Sequence, residues 1–380
     1  MKQFAIIVLV VLLVCALSAP FLLREALNTE NASKDNTPDL FVGVDIAYGD
    51  MMAVKNQIEQ VSEFANLIII GCTDITYSPE KLSEICRYIY GRDMYFMVYT
   101  ELPLKPEWVS KAIVEYGSHF LGIYVWDEPG GKQLDLAAGQ AIINSSEYFS
   151  TYAEIENAFS RILSGGLRYT SPYSSATLPI ATSDYALYWF DYKAGYDTLF
   201  AQLGWNYSRA LNIDLVRGAA TIQNKSWGVI ITWTYTTHPY IESGEQLYAD
   251  MKLAYENGAK YIIVFDSNEG WTQGILQHEH LQAMQQFWEY AKANPQSYNS
   301  SMHRVAYVLP EHYAYGFRGP EDKIWGLFQA DILTGPLCVD LNNAMEQYGN
   351  RLDIIYDDPA FPNYPAVYGQ LKFWNGTTIE

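Results

Sequence analysis

Between Leu40 and Asn294 the chain alternates short runs of β-branched and aromatic residues with stretches whose apolar residues follow helical spacing. Strands that alternate with helices are typical of a parallel sheet, since each helix returns the chain to the same end of the sheet. Eight such units over about 255 residues is the size of a (β/α)8 barrel. The predicted strands are 40–45, 67–71, 94–99, 120–126, 178–182, 198–203, 227–234 and 261–265. The sequence therefore predicts an α/β protein whose main domain, residues 39–295, is a TIM barrel.

Helix signals between the runs support this count. In the second helix Ser78 is a candidate N-cap and Pro79 occupies the favoured first position. In the seventh helix Ser243 is the candidate cap, and Gly258 is expected to end the helix.

Two regions leave the local structure open. The fourth crossover, residues 131–179, is too long for one helix, so we expect extra helices there, including 154–163. The run 187–196 is so apolar that periodicity does not distinguish a strand from a buried helix.

After Pro295 the strand-helix cycle gives way to a different pattern. Residues 305–309 and 352–356 are predicted strands, and a helix is predicted near 342–348. We interpret residues 296–380 as a small α/β appendage that packs on the barrel.

The N-terminus has the features of an export signal. A basic start precedes an apolar run from Phe4 to Leu23, with a small-residue cleavage site at Ala16-Leu17-Ser18. Because the run is nearly long enough to span a bilayer, residues 1–23 are either a signal peptide or an uncleaved anchor that tethers the protein to a membrane. Residues 24–38 are a polar linker.

Glycosylation sequons independently suggest a secreted or extracellular location. They begin at Asn31, Asn144, Asn206, Asn224, Asn299 and Asn375, each with Ser or Thr two residues later.

Charge and cysteine content exclude several classes of protein. A formal net charge of -19 argues against nucleic acid as a partner, because phosphate binding requires clustered Lys and Arg. The four cysteines show neither a disulfide framework nor metal-type spacing. The 31 Tyr and 10 Trp suit sugar binding, since aromatic rings stack on sugar faces, although most of them must serve ordinary packing.

The most informative segment for function is 122–131, where an apolar strand leads directly into Asp127, Glu128, a proline and two glycines. Carboxylates beside a core strand are costly unless they are paired or used. In the alternative interpretation, Asp127 caps the next turn and Glu128 is solvated. In a TIM barrel, however, the active site lies at the C-terminal ends of the strands, where these two residues are placed.

The other strand ends carry mostly acids and aromatic rings, with very few cations. We predict Asp45, Tyr48, Trp126, Trp205, Trp233, Tyr235 and Trp271 as substrate-binding residues, and Glu128, Asp127, Asp266, Glu242 and Asp184 as catalytic candidates. Glu101 after strand three and Ser183 after strand five belong to the same wider inventory.

This inventory favours one chemistry over others. Phosphate loops and the Gly-x-Ser-x-Gly elbow are missing from the sequence, and the six His are scattered, so no metal or other cofactor is predicted. Acids with aromatic rings suit glycoside hydrolysis, in which one carboxyl protonates the leaving oxygen and another acts as nucleophile or base.

A barrel with an acid at the end of strand four resembles the (β/α)8 glycoside hydrolase superfamily. The best-known clan of that superfamily has Asn-Glu at this position. The resemblance implies that Glu128 is the acid/base and that Asp127 takes the place of the substrate-orienting Asn. The clan's nucleophile, a Glu at the end of strand seven, has no counterpart here, and the nearest acid is Glu242 before the Ser243 cap.

Asp266 and Asp184 are therefore rivals of Glu242 for the second carboxylate. Asp45 is a third rival, although an acid on strand one more often orients a substrate hydroxyl. Since adjacent strand residues point to opposite sides, we expect that Asp127 and Glu128 do not form the working pair. The sequence thus predicts an exported glycoside hydrolase acting on a polysaccharide or glycan. The alternatives are a non-catalytic carbohydrate-binding or cell-surface structural barrel, and a deacetylase or other metal hydrolase.

Overall fold

A computed structural model describes residues 38–173, 178–268, 270, 274–296 and 304–379. The chain from Leu40 onward is one compact unit. The predicted signal or anchor and nearly all of the predicted linker lie outside the described residues. Within the part of the chain that is described, we find no helix that is both long and apolar enough to cross a membrane.

Eight parallel strands close into a barrel in sequential order, which confirms the predicted fold. The last strand pairs with the first, with Gly43 opposite Ile263. The strands are β1 (Phe41–Ile46), β2 (Leu67–Ile70), β3 (Tyr95–Thr100), β4 (Phe120–Val125), β5 (Ile180–Asp184), β6 (Thr198–Leu203), β7 (Ser226–Ile231) and β8 (Tyr261–Phe265).

Alternation along each strand divides the apolar residues into two layers. In β1, Phe41 belongs to the cluster inside the barrel, whereas Val42 and Val44 belong to the layer between strands and helices. The same period of two places Asp45 on the inner face, at the end of the barrel where β1 finishes. Large side chains such as Leu67, Phe200 and Ile263 fill the interior of the barrel.

The helices pack around the barrel as the sequence signals indicate. Ser78 Oγ accepts a hydrogen bond from Lys81 N at 3.4 Å, and Ser243 Oγ accepts one from Gln246 N at 3.3 Å, so both predicted caps are confirmed. The helices of this part are α1 (Met51–Val61), α2 (Thr73–Thr76), α3 (Pro79–Tyr90), α4 (Pro106–Tyr116), α5 (Pro129–Leu134), α6 (Tyr152–Thr170), α7 (Tyr188–Ala194), α8 (Arg209–Gln223), α9 (Gly244–Glu256) and α10 (His278–Ala293).

The two open regions are both helical. The fourth crossover contains α5 and α6, and a capping box between Thr151 and Glu154 starts α6. The ambiguous run after β5 forms α7, whose residues are almost all buried. Burial on every side explains why this segment shows no helical period.

The C-terminal residues form a second, four-stranded sheet in the order β10-β9-β11-β12. Strands β9 (Val305–Leu309) and β10 (Leu352–Tyr356) were predicted, whereas β11 (Gln370–Phe373) and β12 (Thr378–Ile379) were not. Helix α11 (Thr334–Tyr348) lies between β9 and β10. This sheet packs closely on α8, since a Cβ atom at Gly218 would lie 2.4 Å from the Ile354 carbonyl oxygen.

Candidate active site

A cavity of about 500 Å³ opens at the C-terminal ends of the barrel strands. All eight strand ends contribute to its wall. The predicted site residues that line it are Asp45, Tyr48, Asp127, Glu128, Trp205 and Trp233. The cavity lies at the face where TIM barrels carry their chemistry, and its volume suits a small organic ligand.

Both carboxyls after β4 line this cavity, so the expectation that Asp127 and Glu128 point to opposite sides is wrong. Strand β4 ends at Val125, and Trp126 and Glu128 then adopt left-handed backbone conformations with φ of 57° and 58°. Strand alternation therefore no longer applies where these two side chains branch from the chain. The amide of Glu128 donates to the Ser183 carbonyl at 2.9 Å, which fixes the turn against β5.

The Glu128 carboxyl is poised between protonation states near neutral pH. Its Oε1 accepts from Gln202 Nε2 at 2.6 Å, and its Oε2 lies 3.6 Å from Lys132 Nζ. Burial, followed by the negative charge of Asp127, raises the pKa of Glu128 to about 7, although Lys132 and Gln202 act in the opposite direction. A carboxyl with this pKa can both donate and accept a proton at physiological pH.

Hydroxyl donors hold the Asp127 carboxylate. Its Oδ1 accepts from Ser183 Oγ at 2.6 Å and from Tyr124 Oη at 3.0 Å. Ser183 Oγ in turn accepts from Gln202 Nε2 at 3.1 Å, and this same nitrogen donates to Glu128. A chain of hydrogen bonds thus connects the two carboxyls and fixes both orientations.

Asp45 faces the same cavity from β1. Its side chain is only 5% exposed, and among the described residues its Oδ1 has no hydrogen-bond partner. Burial, and next the charge of Asp127, raise the pKa of Asp45 well above its ordinary value.

Three predicted catalytic carboxyls do not line the cavity. Asp184 is fully buried at the end of β5, where it accepts from the backbone N–H groups of Gly130 at 2.6 Å and Gly131 at 2.8 Å, and of Tyr185 and Ala186. This carboxylate therefore anchors the turn that follows Glu128.

Asp266 and Glu242 are also occupied by other partners. Asp266 accepts from Gln57 Nε2 at 2.8 Å and from the amides of Ile275 and Leu276, so it organises the loop after β8. Glu242 lies 2.9 Å from the guanidinium of Arg209.

The predicted substrate-binding Trp residues and Tyr235 differ in whether they reach the cavity. Trp205 and Trp233 line the cavity, and the Trp205 amide donates to the Trp233 carbonyl at 2.8 Å. Trp126 instead donates from Nε1 to the Glu101 carbonyl at 3.1 Å and packs its ring against Gly166. Tyr235 is 48% exposed and lies outside the cavity wall, and Trp271 lies outside the described residues.

Other lining residues were absent from the predicted site. Tyr99 and Tyr124 reach the cavity from the inner face of neighbouring strands. Glu101, one of the acids noted in the wider inventory of strand ends, also lines the cavity and accepts from Tyr99 Oη at 3.1 Å. Gln202 is a polar residue in the otherwise apolar end of β6. That interruption was a readable signal for a site residue, because buried amides require partners.

The described residues include no group of three or more His, Cys, Asp or Glu side chains arranged to hold a metal ion. Within the cavity, the groups able to transfer protons are carboxyls and phenols.

Comparison with known proteins relates the fold to solved structures only. No family model matches the chain, and no curated protein matches it. The crystal structure of GH5_18 from Streptomyces cattleya in complex with GlcNAc is similar over 89% of this chain and 99% of that chain, with a TM-score of 0.55 and 11% identity. The α-L-fucosidase isoenzyme 2 from Paenibacillus thiaminolyticus covers 83% of this chain and 58% of its own, with a TM-score of 0.49 and 10% identity.

At such low identity the similarity to the first structure establishes architecture and not activity. Together with the closed eight-stranded barrel, it shows that the chain has a TIM-barrel fold similar to that of this structure.

Proposed function

We propose that this protein is a glycoside hydrolase in which Glu128 is the general acid. The observation that carries the proposal is the Glu128 carboxyl itself: it lines the cavity, and its pKa is raised to about 7 by burial and by Asp127. A general acid works best when its pKa lies near the working pH. Strongly shifted carboxyls in a cleft are typical of acid/base sites in enzymes.

In the proposed reaction, protonated Glu128 gives its proton to the glycosidic oxygen as the bond to the anomeric carbon breaks. The leaving sugar departs with that proton. Positive charge develops on the ring, and the Asp127 carboxylate, oriented by Tyr124 and Ser183, stabilises it. Water then adds to the anomeric carbon and returns a proton to Glu128.

Two indole rings complete the proposed sugar site. Trp205 and Trp233 come from the ends of neighbouring strands and are connected through their backbones, so their relative positions are fixed. Sugar rings present apolar C–H faces that stack on aromatic rings, while their hydroxyls bond to carboxylates.

A hydrolysis screen of the full chain tests the proposal. Wild type is incubated with oligosaccharides of different sugars and linkages, beside Glu128→Gln and a matched control, Glu242→Gln. We expect one substrate class to be cleaved by wild type and by the control, and not by Glu128→Gln. Full activity of Glu128→Gln removes Glu128 from the mechanism, and glycan binding without cleavage by wild type supports the non-catalytic alternative.

Secretion is a further part of the proposal and depends on the sequence. The described sequon residues Asn144, Asn206, Asn224 and Asn375 are all exposed, as a glycosylation acceptor must be. Expression in a glycosylating host should give a protein whose mass falls after enzymatic removal of N-glycans. An unchanged mass contradicts the glycosylation that this part of the proposal expects.

A further inference from the structure

The described part of the cavity wall is strongly acidic and contains no cationic side chain. Asp45, Glu101, Asp127 and Glu128 line it, and no Lys, Arg or His is among the described lining residues. Lys132 approaches Glu128 and donates to the Asp127 carbonyl at 2.8 Å, but it does not belong to the wall. A ligand entering this cavity therefore meets a negative field, which repels anionic sugars.

In this wall, the buried side chain of Asp45 has an oxygen without a hydrogen-bond partner among the described residues. The buried acids Asp184 and Asp266 are each satisfied by several N–H donors. Asp45 is buried to a similar degree, yet its Oδ1 has no hydrogen-bond partner among the described residues, and Asp127 acts on it as a like charge. An unpaired buried carboxyl is costly, so a group supplied by the ligand is the natural partner.

We propose that the substrate carries a protonated amine, as in a sugar with a free 2-amino group, and that Asp45 and Asp127 bind this ammonium. This inference rests on the proposed function for the reaction, although the binding step is independent of it. An ammonium supplies three N–H donors and the positive charge that the pair of carboxyls lacks. Burial and Asp127 hold the pKa of Asp45 well above its ordinary value, and an ammonium bound between the two carboxyls favours the ionised form of Asp45 again. A neutral hydroxyl would satisfy the Oδ1 atom but would not offset the negative charge of the pair.

Binding measured by calorimetry tests the inference separately from catalysis. The full chain carrying Glu128→Gln, which prevents turnover, is titrated with three ligands of equal length: glucosamine oligomers, their N-acetylated forms, and neutral glucose oligomers. The measurement is made at about pH 6, where the amine is charged. We expect the glucosamine oligomer to bind about tenfold more tightly than the other two, with an affinity that falls as salt is added.

The variant Asp45→Asn, added to the same background, should bind the three ligands about equally, because its amide cannot offer negative charge. Glu115→Gln, which removes an acid from α4 far from the cavity wall, should keep the preference for the amine. Melting temperatures show whether each variant is folded.

Equal affinity for all three ligands, a preference that survives Asp45→Asn in the folded protein, or no binding of any ligand overturns the inference. If the amine is preferred but wild type hydrolyses no glycan, the inference stands and the proposed function fails.

Discussion

The ends of β4 and β5 each carry a carboxyl group, but the two carboxyls differ in their hydrogen bonding and in their access to the cavity. Glu128 after β4 receives a single hydrogen bond from an amide side chain and stays in the cavity. Asp184 at the end of β5 receives four backbone N–H groups and is fully buried. The backbone that follows each strand, and not the residue type, decides whether the carboxyl is available for chemistry.

The two ends also depend on each other. The N–H groups of Gly130 and Gly131, which bind Asp184, belong to the turn directly after Glu128. A Cβ atom at Gly130 would lie 2.6 Å from the Leu187 Cβ, so a glycine is required for this close approach. Asp184 is therefore a positioning residue that holds the segment carrying Glu128.

Glu128→Gln should have the largest effect, because it removes the proton donor while keeping the size of the side chain. We expect kcat to fall by about 10²- to 10⁴-fold, the usual contribution of a general acid. Steady-state kinetics on the substrate found by the screen measures this fall. A reduction below about tenfold, with the fold intact, would show that the proton comes from elsewhere.

Asp184→Asn should instead lower stability. An amide offers one acceptor oxygen where the carboxylate serves four N–H donors, so buried donors are left without partners. We expect the free energy of unfolding to fall by about 3 kcal/mol, measured by denaturant titration. Asp74→Asn, at an exposed position in α2, is the control and should change stability little. Unchanged stability of Asp184→Asn contradicts the anchoring role.

Stability should also depend on pH at the β4 end. Burial raises the pKa of Glu128 from 4.5 to about 7, so the folded protein holds a proton that the unfolded chain has already lost. The folded protein therefore keeps its full stability with respect to this group below about pH 4.5. The free energy of unfolding then falls as the pH rises from about 4.5 towards 7. The Gln side chain of Glu128→Gln does not ionise, so the variant should not lose stability in this pH range. Its free energy of unfolding at pH 8 should exceed that of wild type by about 2 kcal/mol.

Denaturant titrations of both proteins at pH 5 and pH 8 measure this difference. A Glu128→Gln variant that is no more stable than wild type at pH 8 contradicts a costly buried carboxyl.

The barrel was predictable because its strands are apolar runs with clear boundaries, and β6 and β8 match their predicted limits residue for residue. The helix α7 was not, since it is buried on all sides and has no period to detect. The short β11 was missed because its four residues mix polar and apolar side chains, whereas β2, which is equally short, is an unbroken apolar run.

At the site, the sequence predicted the acids at the strand ends but not which of them line the cavity. Asp266 is not available for catalysis because it binds backbone amides nine and ten residues later in the chain. Asp127 and Glu128 share a cavity because Trp126 and Glu128 have positive φ angles. Both are properties of the folded loops, and no local residue pattern encodes them.

The smallest predicted effect tests how the neighbours set the pKa of Glu128. A general acid must be protonated, so kcat/KM should fall as the pH rises through about 7. Asp127→Asn removes the negative charge that raises this pKa, and its oxygen can still accept from Tyr124 and Ser183; the fall should therefore move to lower pH by about one unit. Lys132→Gln removes a positive charge that lowers the pKa, so its fall should move to higher pH.

Opposite shifts in these two variants distinguish electrostatic control of Glu128 from a general loosening of the turn, because loosening would move both profiles in the same direction. The pH dependence of kcat/KM in each variant measures the shifts, and Glu242→Gln is the control whose profile should match wild type. If neither profile moves, the group that titrates near pH 7 is not Glu128. In that case the difference in hydrogen bonding between Glu128 after β4 and Asp184 in β5 does not explain catalysis.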